Sequence, residues 1–126
     1  MINGEWKTRF PKALIVGAAN CGTTTLLRLL GKHPFIQYAS SERNFFGNEK
    51  DYIKGLVHYV NQMPKSYGNQ VTIEKTSNYL FQRYVAKRVF NLNVKMKLIF
   101  IFCEFVGRVI FHFFHYKIEN KKTLEV

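Results

Sequence analysis

The sequence predicts an α/β fold with a parallel sheet flanked by helices, and three observations predict it. "ALIVG" (13–17) and "KLIFIF" (97–102) are short apolar runs of the kind a parallel sheet buries on both faces. Strand-like segments alternate along the chain with segments of helical spacing, the pattern that puts helices on the faces of a sheet. A glycine-bounded turn, "GAANCG" (17–22), leads from the first run directly into a helix. At 126 residues, 47% of them apolar, the chain has material for one core and at most one domain.

Each element follows in order. "ALIVG" is the first strand. From Thr23 to Leu30 apolar and small residues recur at helical spacing (Leu26, Leu27, Leu29, Leu30), and Gly31 ends the helix. "PFIQYA" is the second candidate strand, and "SSERNFFGNEKDY" is loop. "DYIKGLVHYVNQM" is amphipathic, with Ile53, Leu56, Val57 and Val60 on one helical face. "PKSYGNQ" is a turn and "VTIEK" the third strand. "SNYLFQRYVAKRVFNLN" returns to helical spacing through Leu80, Tyr84, Val85 and Val89. "KLIFIF" closes the sheet, and a turn and an aromatic helix follow it.

The balance of 19 basic against 8 acidic residues, a net charge of +11, favours an anionic partner. The basic residues are scattered rather than gathered in a tract, which speaks against a nucleic-acid tail. The two cysteines, Cys21 and Cys103, have no metal-ligand spacing, so no metal is expected, and they read as small buried hydrophobes. "KLIFIFCEFVGRVIFHFFHY" (97–116) has the length of a membrane span, but Glu104 and Arg108 fall in its middle. Each charge there costs roughly 2.5–3.5 kcal/mol on insertion. A strand, a turn and a helix are the preferred reading, so membrane association is not expected. "MINGEWKTRFPK" has no apolar core of a signal peptide.

The pattern Gly17-x-x-x-x-Gly22 is P-loop-like. Glycines let backbone amides approach phosphate oxygens, and the following helix turns the positive end of its dipole toward them. Thr23, Thr24 and Thr25 add hydroxyl donors. In a nucleotide-hydrolysing loop the residue after the second glycine is lysine. Here it is Thr23, and no convincing magnesium-binding aspartate follows, so a kinase or GTPase loses its main cation. Glycine spacing by itself is a weak signal that also marks an ordinary strand-to-helix turn.

Read together, "FPKALIVGAANCGTTTLLRLLGKHPFIQYASSERNFF", "KGLVHYVNQMP" and "VTIEKTSNYLF" resemble the heparan sulfate glucosaminyl 3-O-sulfotransferases, in order and spacing, from about Arg9 to Arg108. The resemblance implies a truncated sulfotransferase fold: a partial sulfotransferase domain over 9–112 with flanking segments 1–8 and 113–126. It implies transfer of a sulfuryl group from 3′-phosphoadenosine 5′-phosphosulfate to a glucosamine hydroxyl of heparan sulfate or a similar glycan. It also implies the Golgi lumen, although no anchor precedes "GEWKTRFPK".

The family's carboxylate matches Glu42, the expected general base, which on its own reads as a solvated loop acid. Lys75 matches a lysine that meets sulfate or substrate, and on its own reads as a surface lysine. The cofactor positions fall on Asn20, Cys21, Gly22, Thr23, Thr24, Cys103 and Phe111. Four of these have lost the family's group. Asn20 stands for the loop lysine, Thr24 for an arginine, Cys103 for the arginine on the 3′-phosphate and Phe111 for a serine. The substrate side falls on Glu42, Arg43, Asn44, Lys75, Thr76, Ser77 and Asn78, with Asn44 in place of a histidine and Ser77 in place of a proline. Glu104 and Arg108, one helical turn apart, read as a local ion pair. The expected function is an impaired sulfotransferase of this type, and the alternative is a non-catalytic glycan-binding fragment.

Overall fold

The computed structural model describes residues 1–124, so the last two residues of the flanking segment 113–126 lie outside the described residues. The elements run β1 (Lys7–Thr8), β2 (Ala13–Gly17), α1 (Thr23–Leu30), β3 (Ile36–Tyr38), α2 (Glu49–Tyr52), α3 (Leu56–Asn61), β4 (Lys65–Ser66) and β5 (Val71–Lys75). A 3₁₀ turn (Tyr79–Phe81), α4 (Val85–Leu92), β6 (Lys97–Phe100) and α5 (Phe105–Leu124) complete the chain. β3, β5, β2 and β6 form one sheet in that order, all parallel. β1 and β4 pair antiparallel beside it.

Alternation along β2 divides the core between the two faces of the sheet. Leu14 and Val16 pack with Phe45, Phe46, Tyr59, Tyr79, Val85 and Val89. Ala13 and Ile15 face the other way, onto Leu27 and Ile73. The expected parallel sheet with helices on its faces is the one observed.

Three local expectations are corrected. The amphipathic segment 51–63 is not one helix. Gly55, at φ 89°, breaks it into α2 and α3. The break changes the helical phase, so Tyr59 and Met63 are buried while Ile53, Leu56 and Val57 are exposed. Segment 77–93 begins as a 3₁₀ turn and becomes α-helical only at Val85. "PKSYGNQ" contains a strand, because Lys65 and Ser66 pair with Thr8 and Lys7.

The cysteines are also corrected. Cys21 and Cys103 form a disulfide across 82 residues of sequence, with Cα atoms 5.3 Å apart. Cys103 is exposed rather than a buried hydrophobe. Parallel pairing of β2 with β6 sets the ends of both strands side by side, and the residues just beyond each strand can then meet. Among the described residues no helix is long and apolar enough to cross a membrane.

Candidate functional site

The site begins at the end of β2. Gly17 has φ 143°, and a Cβ there would meet the Ser77 carbonyl oxygen at 2.7 Å and Leu80 Cβ at 3.1 Å. Only glycine lets the 76–80 turn close against the strand, and that closure brings Ser77 to the loop. Gly22, at φ 87°, occupies the left-handed region and caps α1. The first amides of a helix have no intrahelical acceptor. Gly22 and the three threonines that follow it form one wall of an open cleft of about 490 Å³. Asn20, Glu42, Lys75, Ser77, Phe111 and His115 form much of the rest.

At its centre, one carboxylate oxygen collects three donors. Glu42 Oε1 accepts from Lys75 Nζ at 2.6 Å, from Ser77 Oγ at 2.7 Å and from Ser77 N at 3.4 Å. Lys75 Nζ also donates to Thr24 Oγ1 at 3.1 Å. The β5 terminus, the first turn of α1 and the 40–46 loop are thereby tied at one point. Burial raises the Glu42 carboxyl, but the bonds from Lys75 and Ser77 and the lysine charge outweigh it, leaving the group below its ordinary value. The arrangement holds an ionised carboxylate and a cation side by side, with the cation largely shielded from water.

Beneath this lies a residue that motif reading passed over. Glu74 is fully buried and accepts from Tyr59 Oη and Tyr79 Oη, each at 3.1 Å, and from Thr76 Oγ1. Its Oε1 also accepts from Arg43 N at 3.4 Å. Asn44 N donates to Thr76 Oγ1 at 3.1 Å, and Phe46 N to Tyr79 Oη at 3.4 Å. The network therefore fixes the loop that carries Glu42 from below. Burial raises the Glu74 carboxyl despite these donors, and burial likewise raises both tyrosine hydroxyls. The available signal was an acidic residue at an inward position of the strand "VTIEK".

The sequence-derived set is only partly brought together. Asn20, Gly22, Thr23, Thr24, Glu42, Lys75, Ser77 and Phe111 line one cleft. Cys21 and Cys103 are joined to each other. Thr76 turns inward to Glu74, and Asn78 is exposed ahead of the 3₁₀ turn. Arg43 Nε and Asn44 Oδ1 are buried and, among the described residues, have no hydrogen-bond partner; Asn44 sits at φ 48°.

Glu104 and Arg108 are not an ion pair. The Glu104 carboxylate caps α5, accepting from Val106 N and Gly107 N at 2.7 Å each, and these bonds lower it. Arg108 Nε reaches instead to the Ala19 carbonyl of the glycine loop at 3.2 Å. Helical geometry explains the difference, since a capping carboxylate folds over its own first turn and is no longer free to meet i+4.

Comparison with known proteins bears on the family and the fold. The chain is 40% identical over 102 residues to heparan sulfate glucosamine 3-O-sulfotransferase 5 of Mus musculus and of Homo sapiens, covering 81% of this chain and 30% of each relative. It is 36% identical over 110 residues to heparan sulfate glucosamine 3-O-sulfotransferase 6 of Homo sapiens, covering 87% of this chain and 32% of the relative. The fold superposes with a TM-score of 0.77 on a solved sulfotransferase from Alicyclobacillus acidocaldarius at 24% identity, covering 89% of this chain and 52% of that one. No protein-family model matches. The chain spans about a third of the length of the curated relatives it matches. Its curated homologues are therefore the heparan sulfate glucosamine 3-O-sulfotransferases, a portion of whose sequence it shares, and its fold is that of a sulfotransferase.

Proposed function

We propose that this chain carries the acceptor-side and sulfate-side residues of a heparan sulfate-type sulfotransferase, with transfer chemistry much reduced. The observation that supports this most is the Lys75–Glu42–Ser77 cluster at the mouth of the glycine loop. The donor of such a reaction, 3′-phosphoadenosine 5′-phosphosulfate, would supply the sulfuryl group. Glu42, ionised and partly exposed, takes the proton from a glucosamine hydroxyl. Lys75 and the amides before α1 stabilise negative charge developing across the cleft. Arg43 and Asn44 follow Glu42 on the same loop, but Arg43 Nε and Asn44 Oδ1 are buried and are not open to an acceptor sugar. Ser77 orients the carboxylate. Asn78, exposed beyond it, contacts the glycan farther out.

The fit to the donor is uneven. The sulfate-facing half has its glycines, threonines and Lys75. The half that would grasp the 3′-phosphate has a disulfide sulfur at Cys103 and a phenyl ring at Phe111, neither of which donates a hydrogen bond to an anion. Asn20 adds no charge where a preorganised cation is worth on the order of 10²–10³ in rate. These losses favour the second reading in part: a glycan-binding fragment without turnover. The Cys21–Cys103 disulfide suits an oxidising lumen, in keeping with the Golgi.

The test is calorimetric titration with 3′-phosphoadenosine 5′-phosphate. The expected result is little affinity in the wild-type chain and a gain of at least about tenfold in Asn20→Lys with Thr24→Arg, which leaves the disulfide intact. Micromolar binding by the unmodified chain would contradict the reading of the lost contacts.

A further inference from the structure

A second hollow, of about 230 Å³, adjoins the cleft, and Thr24, Glu42 and Lys75 line both. The rest of its polar lining is Arg28, Tyr38, Ser40 and Ser41. Among the described residues, none of these four side chains makes a hydrogen bond or ion pair with the protein. Tyr38 packs over the end of α1, where a Cβ on Gly31 would meet its Cε1 at 2.1 Å. Thr24 and Arg28 stand one helical turn apart on the same side of α1. Thr24 Oγ1 accepts from Lys75 Nζ at 3.1 Å, so an unpaired guanidinium stands one turn from the Lys75–Glu42 pair.

We infer that this hollow is a subsite for an acidic substituent, carboxylate or sulfate, of the saccharide whose hydroxyl meets Glu42, with Arg28 as its recognition cation. The inference rests on the acceptor-side reading proposed above. Charge decides the class of ligand. Glu42 is the one acid lining the hollow, and its Oε1 accepts from Lys75 at 2.6 Å and from Ser77 at 2.7 Å. Glu42 and Lys75 offset each other, and Arg28 leaves the lining with a positive charge in excess. A guanidinium presents a planar fork that matches two oxygens of a carboxylate or sulfate. The hydroxyls of Tyr38, Ser40 and Ser41 are further donors for the same oxyanion.

Size and spacing agree with that class. At about 230 Å³ the hollow is smaller than the roughly 300–1,000 Å³ of sites that enclose a whole small-molecule ligand, so it suits one substituent rather than a nucleotide. Side chains one helical turn apart are separated by about 5–6 Å at their Cβ atoms. A hydroxyl and an acidic group on the same or the adjoining sugar ring span a comparable distance. A saccharide with its hydroxyl at Glu42 therefore brings a neighbouring anion to Arg28.

The experiment titrates the whole chain by calorimetry with a heparan sulfate hexasaccharide, and with the same hexasaccharide carboxyl-reduced or desulfated. Arg28→Gln is expected to weaken binding of the intact hexasaccharide about tenfold. Arg28→Lys, which keeps the charge without the fork, should fall between that variant and wild type. Lys87→Gln removes an equal charge from α4, on the opposite face of the sheet from α1, and is expected to weaken binding less than about twofold. Whichever modified hexasaccharide binds wild type and Arg28→Gln equally identifies the group that Arg28 holds. In wild type, the Arg28 Nε–H resonance should shift on saturation, a readout that does not depend on any variant folding. Equal losses in Arg28→Gln and Lys87→Gln, an unmoved Arg28 resonance, or no hexasaccharide binding by wild type would each overturn the inference.

Two further readouts separate this from the function proposed above. The Ser77 amide, which donates to Glu42 Oε1, reports on the acceptor. A shifted Arg28 resonance with an unmoved Ser77 amide would keep the anion subsite and sink the assignment of Glu42 to the acceptor. Titration with 3′-phosphoadenosine 5′-phosphate reports on the donor. Hexasaccharide binding that depends on Arg28, with no nucleotide binding even in Asn20→Lys with Thr24→Arg, supports the subsite and sinks the donor reading. Nucleotide binding in that variant, with hexasaccharide binding indifferent to Arg28→Gln, does the reverse.

Discussion

Glu42 and Glu74 lie on opposite sides of the same loop, and their environments push them in opposite directions. Glu42 is held below its ordinary value by Lys75 and Ser77 against the effect of burial, and Glu74 is raised by burial. For Glu42 the stabilisation is present above the unfolded value of about 4.3 and is lost as pH falls through the lower folded value. For Glu74 it is fully present below about 4.3 and is lost as pH rises through the higher folded value. Glu42→Gln is therefore expected to show a stability deficit at pH 7 that closes toward pH 3. Glu74→Gln is expected to cost about 1–3 kcal/mol at pH 4, a deficit that narrows toward pH 7. Urea unfolding of both variants at several pH values checks this, and parallel slopes would contradict the assignment. Glu42 was legible in the sequence because a motif surrounds it. Glu74 was not, because a carboxylate in a strand segment reads as an outward-facing polar residue until the inward side of β5 and the Tyr59 hydroxyl on α3 are placed.

Among the elements, α4 secures the loop and α2 through one side chain. Arg88 forms an ion pair with Glu49, donates from Nη1 to the Phe46 carbonyl at 3.0 Å, and places its guanidinium 3.9 Å from the Tyr52 ring centroid and 4.5 Å from that of Tyr84. A planar fork can satisfy these partners together, and an ammonium cannot. Arg88→Lys is accordingly expected to lower stability by about 1–2 kcal/mol, seen as a lower urea midpoint with an unchanged slope. An unchanged midpoint would mean that the contacts are redundant. β2 was legible because a buried strand carries its apolar run on the chain itself, whereas "KLIFIF", expected to be buried on both faces, is the edge strand β6 with Leu98 and Phe100 exposed. The division of 51–63 was not legible. Periodicity treats Gly55 as a tolerable helix residue, whereas its φ of 89° resets the face that Tyr59 presents to the core.

For the molecule as a whole, the Cys21–Cys103 bond joins the glycine loop to the start of α5, and the rest of α5 has little else to hold it. Phe105, Val109, Phe113, Phe114 and Tyr116 are all at least half exposed. A contiguous apolar helix face in water favours self-association, and the solved sulfotransferase has about half its chain beyond the region matched here. What α5 does make are polar contacts at one stripe, Arg108 to Ala19 and His112 to Asn20, together with the disulfide. Residue spacing could not announce this bond, since the cysteines become neighbours only when β6 pairs with β2. Closing a loop of 82 residues restricts the unfolded chain by about 4–5 kcal/mol in the entropy model. Cys21→Ser with Cys103→Ser, or reduction with excess dithiol, is thus expected to lower the melting temperature by roughly 10–20 °C. It should also detach α5 from the loop, so that light scattering at equal concentration rises. If melting falls while scattering is unchanged, the disulfide stabilises the sheet but the stripe of α5 keeps its place without it. If neither changes, the bond has no part in holding the cleft.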